Sequence, residues 1–411
     1  MSKTDFPAVS AGFPGGNVVV LGADGATVRL SPDLRETQRF WFFWRFRATF
    51  PTAGTWRFEF PDGNCVGTRG PAVRRAGERG WRWLSGDALH ASDRIFEWTS
   101  AGPETVEFCQ CIPYQGADFD AFAASFAGDP RVTVSELCRS RAGRSVPLLR
   151  LREGDPPETV LFTCRHHAQE SMASFALEGL LRALASDEPR AAAFRRAFEV
   201  LAVPLVDRDG VEDGTQGKFR TPHDHNRDYG APGGHLYPEC VAIDRLLDER
   251  RPAAVLDLHS PWIRGGTTNE QPYLVGIDLP HTHPVTDRFG ALLERHCPPE
   301  APYRAADTLA FGREWNTGVN YAEGMGLKRW AALKPFVRFS QTLEIPFANF
   351  REKTQTPDTV RAFGRGIAAA LAEYFLSPAF GEDALVPPDA PPPPKPVELP
   401  PLAAAERARP R

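Results

Sequence analysis

The sequence predicts an α/β protein in which a doubly wound, mixed and largely parallel sheet is flanked by helices and follows an antiparallel β-sandwich. Three observations predict this architecture: aromatic alternation before residue 128, alternating strand and helix patterns over 129–382, and a proline-rich composition over 383–411. A chain of 411 residues also suits two or three domains better than one. We therefore predict a sandwich domain at 1–128, an α/β domain at 129–382 and a disordered tail at 383–411.

The sandwich prediction rests on residues 44–50, where aromatic or small apolar side chains alternate with arginine and threonine. Such period-two alternation indicates a half-buried strand. The pattern returns in four short runs separated by Gly, Pro and Asp: 55–60, 80–84, 94–98 and 105–109. Several short strands at this spacing are typical of two packed sheets. The aromatic stripes could form a carbohydrate- or peptide-binding surface, but a core is favoured because inward-facing aromatic residues fill small sandwiches.

The α/β prediction rests on repeated pairs of an apolar run and a helical pattern. The apolar runs with strand character are 158–164, 200–206, 253–258 and 339–345. The helical patterns are the series Leu177, Leu180, Leu181 and Leu184 and the segments 190–198, 239–250 and 357–376. Leucines at i, i+3, i+4 and i+7 lie on one face of a helix. Repeated pairs of this kind argue for a largely parallel sheet covered on both faces.

Composition excludes several classes of protein. The formal net charge of −4 argues against a nucleic-acid binder, which needs a basic surplus. No run approaches 18 apolar residues and no signal peptide is evident, so no membrane association is predicted. The seven cysteines are odd in number and lack a C-x-x-C pair, which fits a reducing compartment. We therefore predict a cytoplasmic protein whose oligomeric state is left open.

The tail over 383–411 contains ten prolines and almost no large apolar side chains. Such a segment buries too little surface to offset the entropy of ordering it. A solvated, polyproline-like tail is favoured over a partner-docking motif.

Polar side chains follow the predicted strands of the α/β domain at their carboxyl ends, where open sheets bind ligands. His166 and His167 follow the first run, a loop containing Arg220 and Asn226 follows the second, and His259 follows the third. Glu344 lies within the fourth. Because carboxyl ends of parallel strands share one edge, these side chains are expected to converge.

His167 and Glu170 form a His-x-x-Glu pair, which a chain of this composition contains about once by chance. Its position at a strand end, together with His259 at another, makes it more specific. Two imidazoles and one carboxylate give zinc three ligands and leave a fourth position for water, as in catalytic sites. Such a zinc ion lowers the pKa of its water and polarises a carbonyl. We predict one Zn²⁺ per chain.

The remaining polar residues suit acyl-group hydrolysis. A carboxylate such as Glu344 can accept a proton from water and pass it to a leaving amine. A fixed arginine can stabilise an oxyanion, and Asn226 with Arg227 offers the planar donor fork that grips a free carboxylate.

In order along the chain, His-x-x-Glu, Arg, Asn-Arg, His-Ser and Thr-Leu-Glu resemble the zinc metallocarboxypeptidase family over about 130–380. The preceding zone, ending in Val-Glu-Phe-Cys-Gln-Cys-Ile-Pro-Tyr at 106–114, is similar to the β-sandwich of the cytosolic carboxypeptidases. The resemblance implies a carboxypeptidase-like fold for 129–382, with catalytic function in that domain.

The resemblance also implies roles for individual residues. His167, Glu170 and His259 match the zinc ligands, and Glu344 matches the general base. His166 competes with His167, but only His167 has Glu at i+3. The other matches are Arg220 for the carbonyl-polarising arginine, Asn226 and Arg227 for the carboxylate grip, and Ser260 and Tyr321 for further substrate contacts. The family's Asn-Pro-Asp-Gly turn is Asp-Arg-Asp-Gly here, at 207–210, and Arg220 lies only six residues before Asn226.

The predicted function is hydrolysis of the C-terminal peptide or isopeptide bond of a peptide or protein substrate by a metal-activated water. One hypothesis is that Lys328, Arg329, Lys334 or Arg338 selects an acidic terminal residue; the other is that all four are solvated. Two alternative functions remain at this point: a zinc amidase or deacylase acting on a carboxylate-bearing N-acyl amino acid or small amide, and a non-catalytic peptide-binding module.

Overall fold

The computed structural model describes residues 6–265 and 269–382. The predicted tail at 383–411 therefore lies outside the described residues. The strands are β1 Ala8–Ser10, β2 Val19–Asp24, β3 Thr27–Ser31, β4 Arg45–Phe50, β5 Gly54–Glu59, β6 Ala72–Arg75, β7 Arg82–Trp83, β8 Ile95–Ser100, β9 Glu104–Cys109, β10 Val132–Arg139, β11 Ser145–Leu151, β12 Glu158–Cys164, β13 Phe198–Val203, β14 Ala254–His259, β15 Tyr273–Leu274, β16 Phe339–Glu344, β17 Asn349–Phe350 and β18 Lys353–Thr354.

The helices alternate with the later strands. They are α1 Gly116–Ala124, α2 Ser171–Ala185, α3 Pro189–Ala197, α4 Arg208–Asp213, α5 Pro238–Arg250, α6 His283–His296, α7 Leu327–Ala332, α8 Pro357–Phe375 and α9 Ala379–Glu382. Within the described ranges, no helix is both long and apolar enough to cross a membrane.

The N-terminal region is a sandwich of a five-stranded sheet, ordered β1-β4-β9-β6-β7, and a four-stranded sheet, ordered β2-β3-β5-β8. All pairings are antiparallel except that of β3 with β5. The alternation predicted over 44–50 is present, because Phe46, Ala48 and Phe50 are buried in the core between the sheets. On the opposite face Arg45 is also buried, and its Nε atom donates to Glu107 at 2.7 Å.

The α/β region is built on a seven-stranded mixed sheet ordered β10-β11-β13-β12-β14-β16-β15. Strands β13, β12, β14 and β16 are parallel, and three antiparallel pairings add β10, β11 and β15 at the two sides. The predicted α/β class is confirmed, with a sheet that is half parallel by pairing. The β10–β11 hairpin, α6 and α7 were not predicted. In β10 most side chains are exposed, so no apolar period identifies that strand.

Helices cover both faces of this sheet, as predicted. One apolar core contains α2, α6 and α8, and the other contains α5 and α7. Trp41, Phe42 and Trp83 of the N-terminal region belong to the first of these cores, so the sandwich packs directly on the α/β region. The boundary predicted between residues 128 and 129 falls between α1 and β10 and stays a prediction.

Gly364 of α8 is expected to be one of the positions most sensitive to substitution in the fold. A Cβ atom there would collide with the backbone carbonyl oxygen of Ala176 in α2. Since neither backbone can turn away as a side chain can, Gly364→Ala should lower the free energy of unfolding by about 1–3 kcal/mol. Urea unfolding measures this change. Gly381→Ala, where no atom lies within 4 Å of the added carbon, is the control and should leave stability unchanged or slightly raised. Equal stability of wild type and Gly364→Ala would contradict the close approach of the two helices.

Candidate metal centre and substrate cavity

The candidate metal ligands come from the carboxyl ends of two neighbouring strands. β12 ends at Cys164, which pairs in register with Leu258, so His167 and His259 emerge side by side. Glu170 lies at the N-cap of α2 between them. Its two carboxylate oxygens lie 2.8 Å from the Nδ1 atoms of His167 and His259. The three side chains predicted as zinc ligands are therefore brought together, and all three are buried.

The side chain of Arg165 holds the turn that carries His167. Arg165 has a φ of 68° and is buried. Its guanidinium donates to the carbonyl oxygen of Ala168 at 2.9 Å and to that of Tyr114 at 3.0 Å. Because both acceptors are backbone atoms, the side chain holds the turn in one conformation.

Asp257, two residues before His259 on β14, organises the imidazoles behind the candidate ligands. Its Oδ2 atom lies 2.8 Å from His259 Nε2, and its Oδ1 atom lies 2.9 Å from His166 Nδ1. The other nitrogen of His166 lies 2.8 Å from the hydroxyl of Tyr229. A carboxylate on the far nitrogen of a metal-binding histidine fixes the orientation of its ring. Asp257 therefore suits the role of an orienting residue for His259.

Among the described residues, two groups of side chains could hold a metal ion: His167, Glu170 and His259, or His166, Asp257 and His259. In the second group, both nitrogens of His166 already have partners. A cavity on this side of the sheet, called here the central cavity, is lined by His167 and His259 but not by His166 or Asp257. The first group therefore contributes two side chains to the cavity lining, whereas the second group contributes only His259.

The donor set of the first group fits zinc. Two neutral imidazoles and a carboxylate form the three-ligand set of catalytic zinc sites. Although burial opposes it, His167 and His259 hold the pKa of Glu170 well below its usual range, so this ligand is charged. Burial would lower the pKa of His259, but Asp257 and Glu170 raise it well above its usual range. A metal ion bound at His259 would displace a proton from this imidazole.

Glu344 ends β16 directly opposite His259 in the strand register. Its side chain lines the central cavity, and its Oε2 atom is buried without a hydrogen-bond partner among the described residues. Burial raises the pKa of Glu344 to about 7, and the neighbouring Glu170 carboxylate acts in the same direction. A carboxylate in such a position can accept and return a proton near neutral pH.

Asn226 and Arg227 line the same cavity. They belong to the 3-10 turn His225–Arg227, which Asp224 caps by accepting from the backbone N–H of Asn226 at 3.0 Å. The side-chain Oδ1 atom of Asn226 is buried without a described partner. The predicted donor fork therefore faces the same space as the metal ligands.

Arg220 does not line the central cavity. Its Nη2 atom lies 2.9 Å from Asp207, 2.8 Å from Glu36 and 2.7 Å from the hydroxyl of Thr215. Lys218, two residues earlier in the same loop, does line the cavity. Its Nζ atom lies 3.3 Å from His167 Nε2. Lys218, like Asp257, was not predicted from the sequence, because an irregular loop has no period to show which side chain points inward.

The two remaining predicted substrate contacts differ in position. Tyr321 lines the central cavity, where its ring lies parallel to that of Phe311 at 6.0 Å between centroids. Ser260 is buried beside His259 and does not line the cavity, and its hydroxyl has no described partner. The roles of Tyr321 and Ser260, like those of the other site residues, stay predictions.

The fold and the site together define an α/β protein with a buried imidazole–carboxylate centre open to a cavity. Residues 120–245 match the family model of the zinc carboxypeptidases, Peptidase_M14. Cytosolic carboxypeptidase 2 of Xenopus tropicalis is 27% identical over 319 residues, which is 71% of this chain and 31% of that protein. The chain therefore carries a zinc carboxypeptidase domain and has cytosolic carboxypeptidases among its homologues. The predicted family and zinc cofactor are confirmed.

Two solved bacterial structures have a similar fold. A putative carboxypeptidase A of Shewanella denitrificans has a TM-score of 0.73 at 18% identity, over 89% of this chain and 98% of that one. A metallo-carboxypeptidase of Pseudomonas aeruginosa, in complex with (2-guanidinoethylmercapto)succinic acid, has a TM-score of 0.72 at 18% identity with the same coverage. These likenesses confirm the fold. The chain spans less than a third of the length of the first curated relatives that it matches.

Proposed function

We propose that this protein is a zinc-dependent metallocarboxypeptidase that removes the last residue of a peptide or protein with a free C-terminal carboxylate. One observation carries the proposal. A single cavity is lined by two candidate zinc ligands, His167 and His259, by the carboxylate of Glu344, and by the donors Asn226 and Arg227. The names of the curated relatives support a cytosolic place of action.

Each residue has a distinct part in the proposed reaction. Arg227 and Asn226 donate hydrogen bonds to the terminal carboxylate, which sets the scissile bond at a fixed place in the cavity. His167, Glu170 and His259 would hold zinc, which supplies a Lewis acid and lowers the pKa of water. Glu344 accepts the proton that water loses and donates it to the leaving amine.

We further propose a preference for an acidic terminal residue, with Lys328 as the selecting cation. Lys328 is buried and lines the cavity. Its ammonium donates to Gln341 Oε1 at 3.0 Å and to the carbonyl oxygen of Val275. Both acceptors are neutral, and burial lowers the pKa of Lys328 to about 7. A substrate carboxylate in contact with this amine would restore the charged form, which favours binding of acidic side chains.

The other three candidate cations are already paired with carboxylates. Arg329 also lines the cavity, but its guanidinium binds both oxygens of Asp278 at 2.7 and 2.9 Å. Lys334 and Arg338 lie outside the cavity lining. Their partners are Asp248 for Lys334 and Glu158 for Arg338. Of these four candidates, Lys328 is therefore the cation whose charge a substrate can balance.

The test compares kcat/KM for N-blocked peptides that differ only in a terminal Glu, Gln, Lys or Phe. We expect the Glu peptide to exceed the Gln peptide by about 10- to 100-fold, as for a hydrogen bond to a charged group. Lys328→Met should abolish this ratio, whereas Lys353→Met, at an exposed site, should keep it. Equal or lower activity on the Glu peptide would exclude the acidic preference. Turnover of N-acyl glutamate but of none of the peptides would instead identify a deacylase.

A further inference from the structure

Lys218 lies in the central cavity with no role assigned to it so far. Its ammonium is 3.3 Å from Nε2 of His167 and 5.8 Å from the centre of the Trp41 ring. The Nδ1 atom of His167 faces Glu170 at the candidate metal centre. Lys218 contacts the other ring nitrogen, Nε2, and therefore leaves Nδ1 free to bind a metal ion. Within the part of the chain that the structure describes, no carboxylate oxygen lies within 4.0 Å of this ammonium. The Lys218 amine therefore faces the cavity without a carboxylate partner among the described residues.

Arg220, by contrast, anchors the loop that carries Lys218 to other parts of the structure. Its guanidinium binds both Asp207, the N-cap residue of α4, and Glu36 of the N-terminal region. The backbone reinforces this link, because the N–H of Gln38 donates to the carbonyl oxygen of Phe219 at 2.9 Å. Phe219, with a φ of 51°, separates the two cations. The loop thus directs one cation into the cavity and the other towards the sandwich.

We propose that Lys218, and not Arg220, is the cation that stabilises the oxyanion formed on the scissile carbonyl. This inference rests on the proposed carboxypeptidase function. Arg220 is then a positioning residue, which acts by holding the loop in place.

The water oxygen bonds to the carbonyl carbon, and the π electron pair moves onto the carbonyl oxygen. The Lys218 ammonium donates a hydrogen bond to that oxygen and keeps its proton. When the carbonyl re-forms, the C–N bond breaks and the amine leaves with the proton that Glu344 had accepted. A preorganised donor of this kind stabilises charge that is absent from the ground state, so its loss lowers kcat more than it raises KM.

The experiment uses the zinc-loaded full chain and compares Lys218→Met with Lys353→Met, a substitution of an exposed lysine. We expect Lys218→Met to lower kcat by about 100- to 1000-fold, as removal of one oxyanion donor does, with KM changed less than about threefold. Zinc content, measured by atomic absorption, should stay at one per chain. Lys218→Arg should recover part of the lost kcat, whereas Lys353→Met should match wild type throughout.

Ligand binding supplies a readout that is independent of turnover. Calorimetry would compare a phosphonate peptide, in which a tetrahedral phosphorus replaces the scissile carbonyl, with the free terminal amino acid. Lys218→Met should weaken phosphonate binding by about the same factor as kcat and leave amino-acid binding within threefold.

Three results would overturn the inference: equal weakening of both ligands, loss of zinc from Lys218→Met, or selective weakening of the phosphonate by Arg220→Gln with none by Lys218→Met. If the wild-type protein hydrolyses no C-terminal peptide, the proposed carboxypeptidase function is excluded, and the inference that rests on it is excluded as well. The wild-type assay therefore separates the two failures.

Discussion

Glu344→Gln is expected to lower kcat/KM on a C-terminal peptide by about 10²- to 10⁴-fold, the contribution typical of a general base. The amide keeps the size of the side chain but cannot accept the proton of water. Glu344 lines the cavity with one oxygen unpartnered among the described residues, so the substitution breaks no hydrogen bond there. Fold and metal content should therefore survive, because the ligands His167, Glu170 and His259 are untouched.

Stability gives this prediction a second, independent readout. Burial raises the pKa of Glu344 to about 7, so a neutral amide removes a charge that the site disfavours. We expect the unfolding midpoint of Glu344→Gln to equal or slightly exceed that of wild type. Glu323→Gln, at an exposed position, is the matched control and should keep full activity. A Glu344→Gln enzyme with more than a tenth of wild-type activity would show that another group takes the proton.

The parts of the fold that the sequence predicted are those with a clear apolar period. The helix predicted at 357–376 is α8 Pro357–Phe375, and the strand predicted at 253–258 is β14 Ala254–His259. Both are largely buried, so their patterns reflect real packing. The mainly exposed β10 and the two-residue strand β15 have no such pattern. Their positions depend on pairing with strands that are distant in the sequence, and no local pattern records that.

In the candidate site, too, residues with a local sequence pattern could be predicted, and residues placed by distant contacts could not. His167 was separated from His166 by the i+3 spacing to Glu170 alone, and the structure places the two ring nitrogens of His166 on Asp257 and Tyr229 instead. Asp257 itself could have been found, since an acid inside an apolar strand and two residues from His259 shares its face. Lys218 could not have been found from the sequence. Arg220 points away from the cavity and contacts Glu36, which is distant from it in the sequence.

The zinc site can be tested with the two adjacent histidines as a matched pair. His167→Gln should reduce zinc from one per chain to near zero after dialysis, because it removes a ligand that contacts Glu170 at 2.8 Å. His166→Gln should keep one zinc per chain, though bound about 10- to 100-fold more weakly, since His166 acts only through Asp257. Atomic absorption and titration against a zinc-binding dye measure both quantities.

Metal removal extends the same argument to stability. A ligand that binds only the folded state stabilises it by about 2.7 kcal/mol when its free concentration is 100 times Kd. Stripping zinc from wild type with a chelator should therefore lower the unfolding midpoint, and adding zinc back should restore it. His167→Gln should unfold at the same midpoint with or without added zinc, whereas His166→Gln should still respond. Zinc-dependent stability in His167→Gln, together with its loss in His166→Gln, would place the metal on His166, Asp257 and His259 instead.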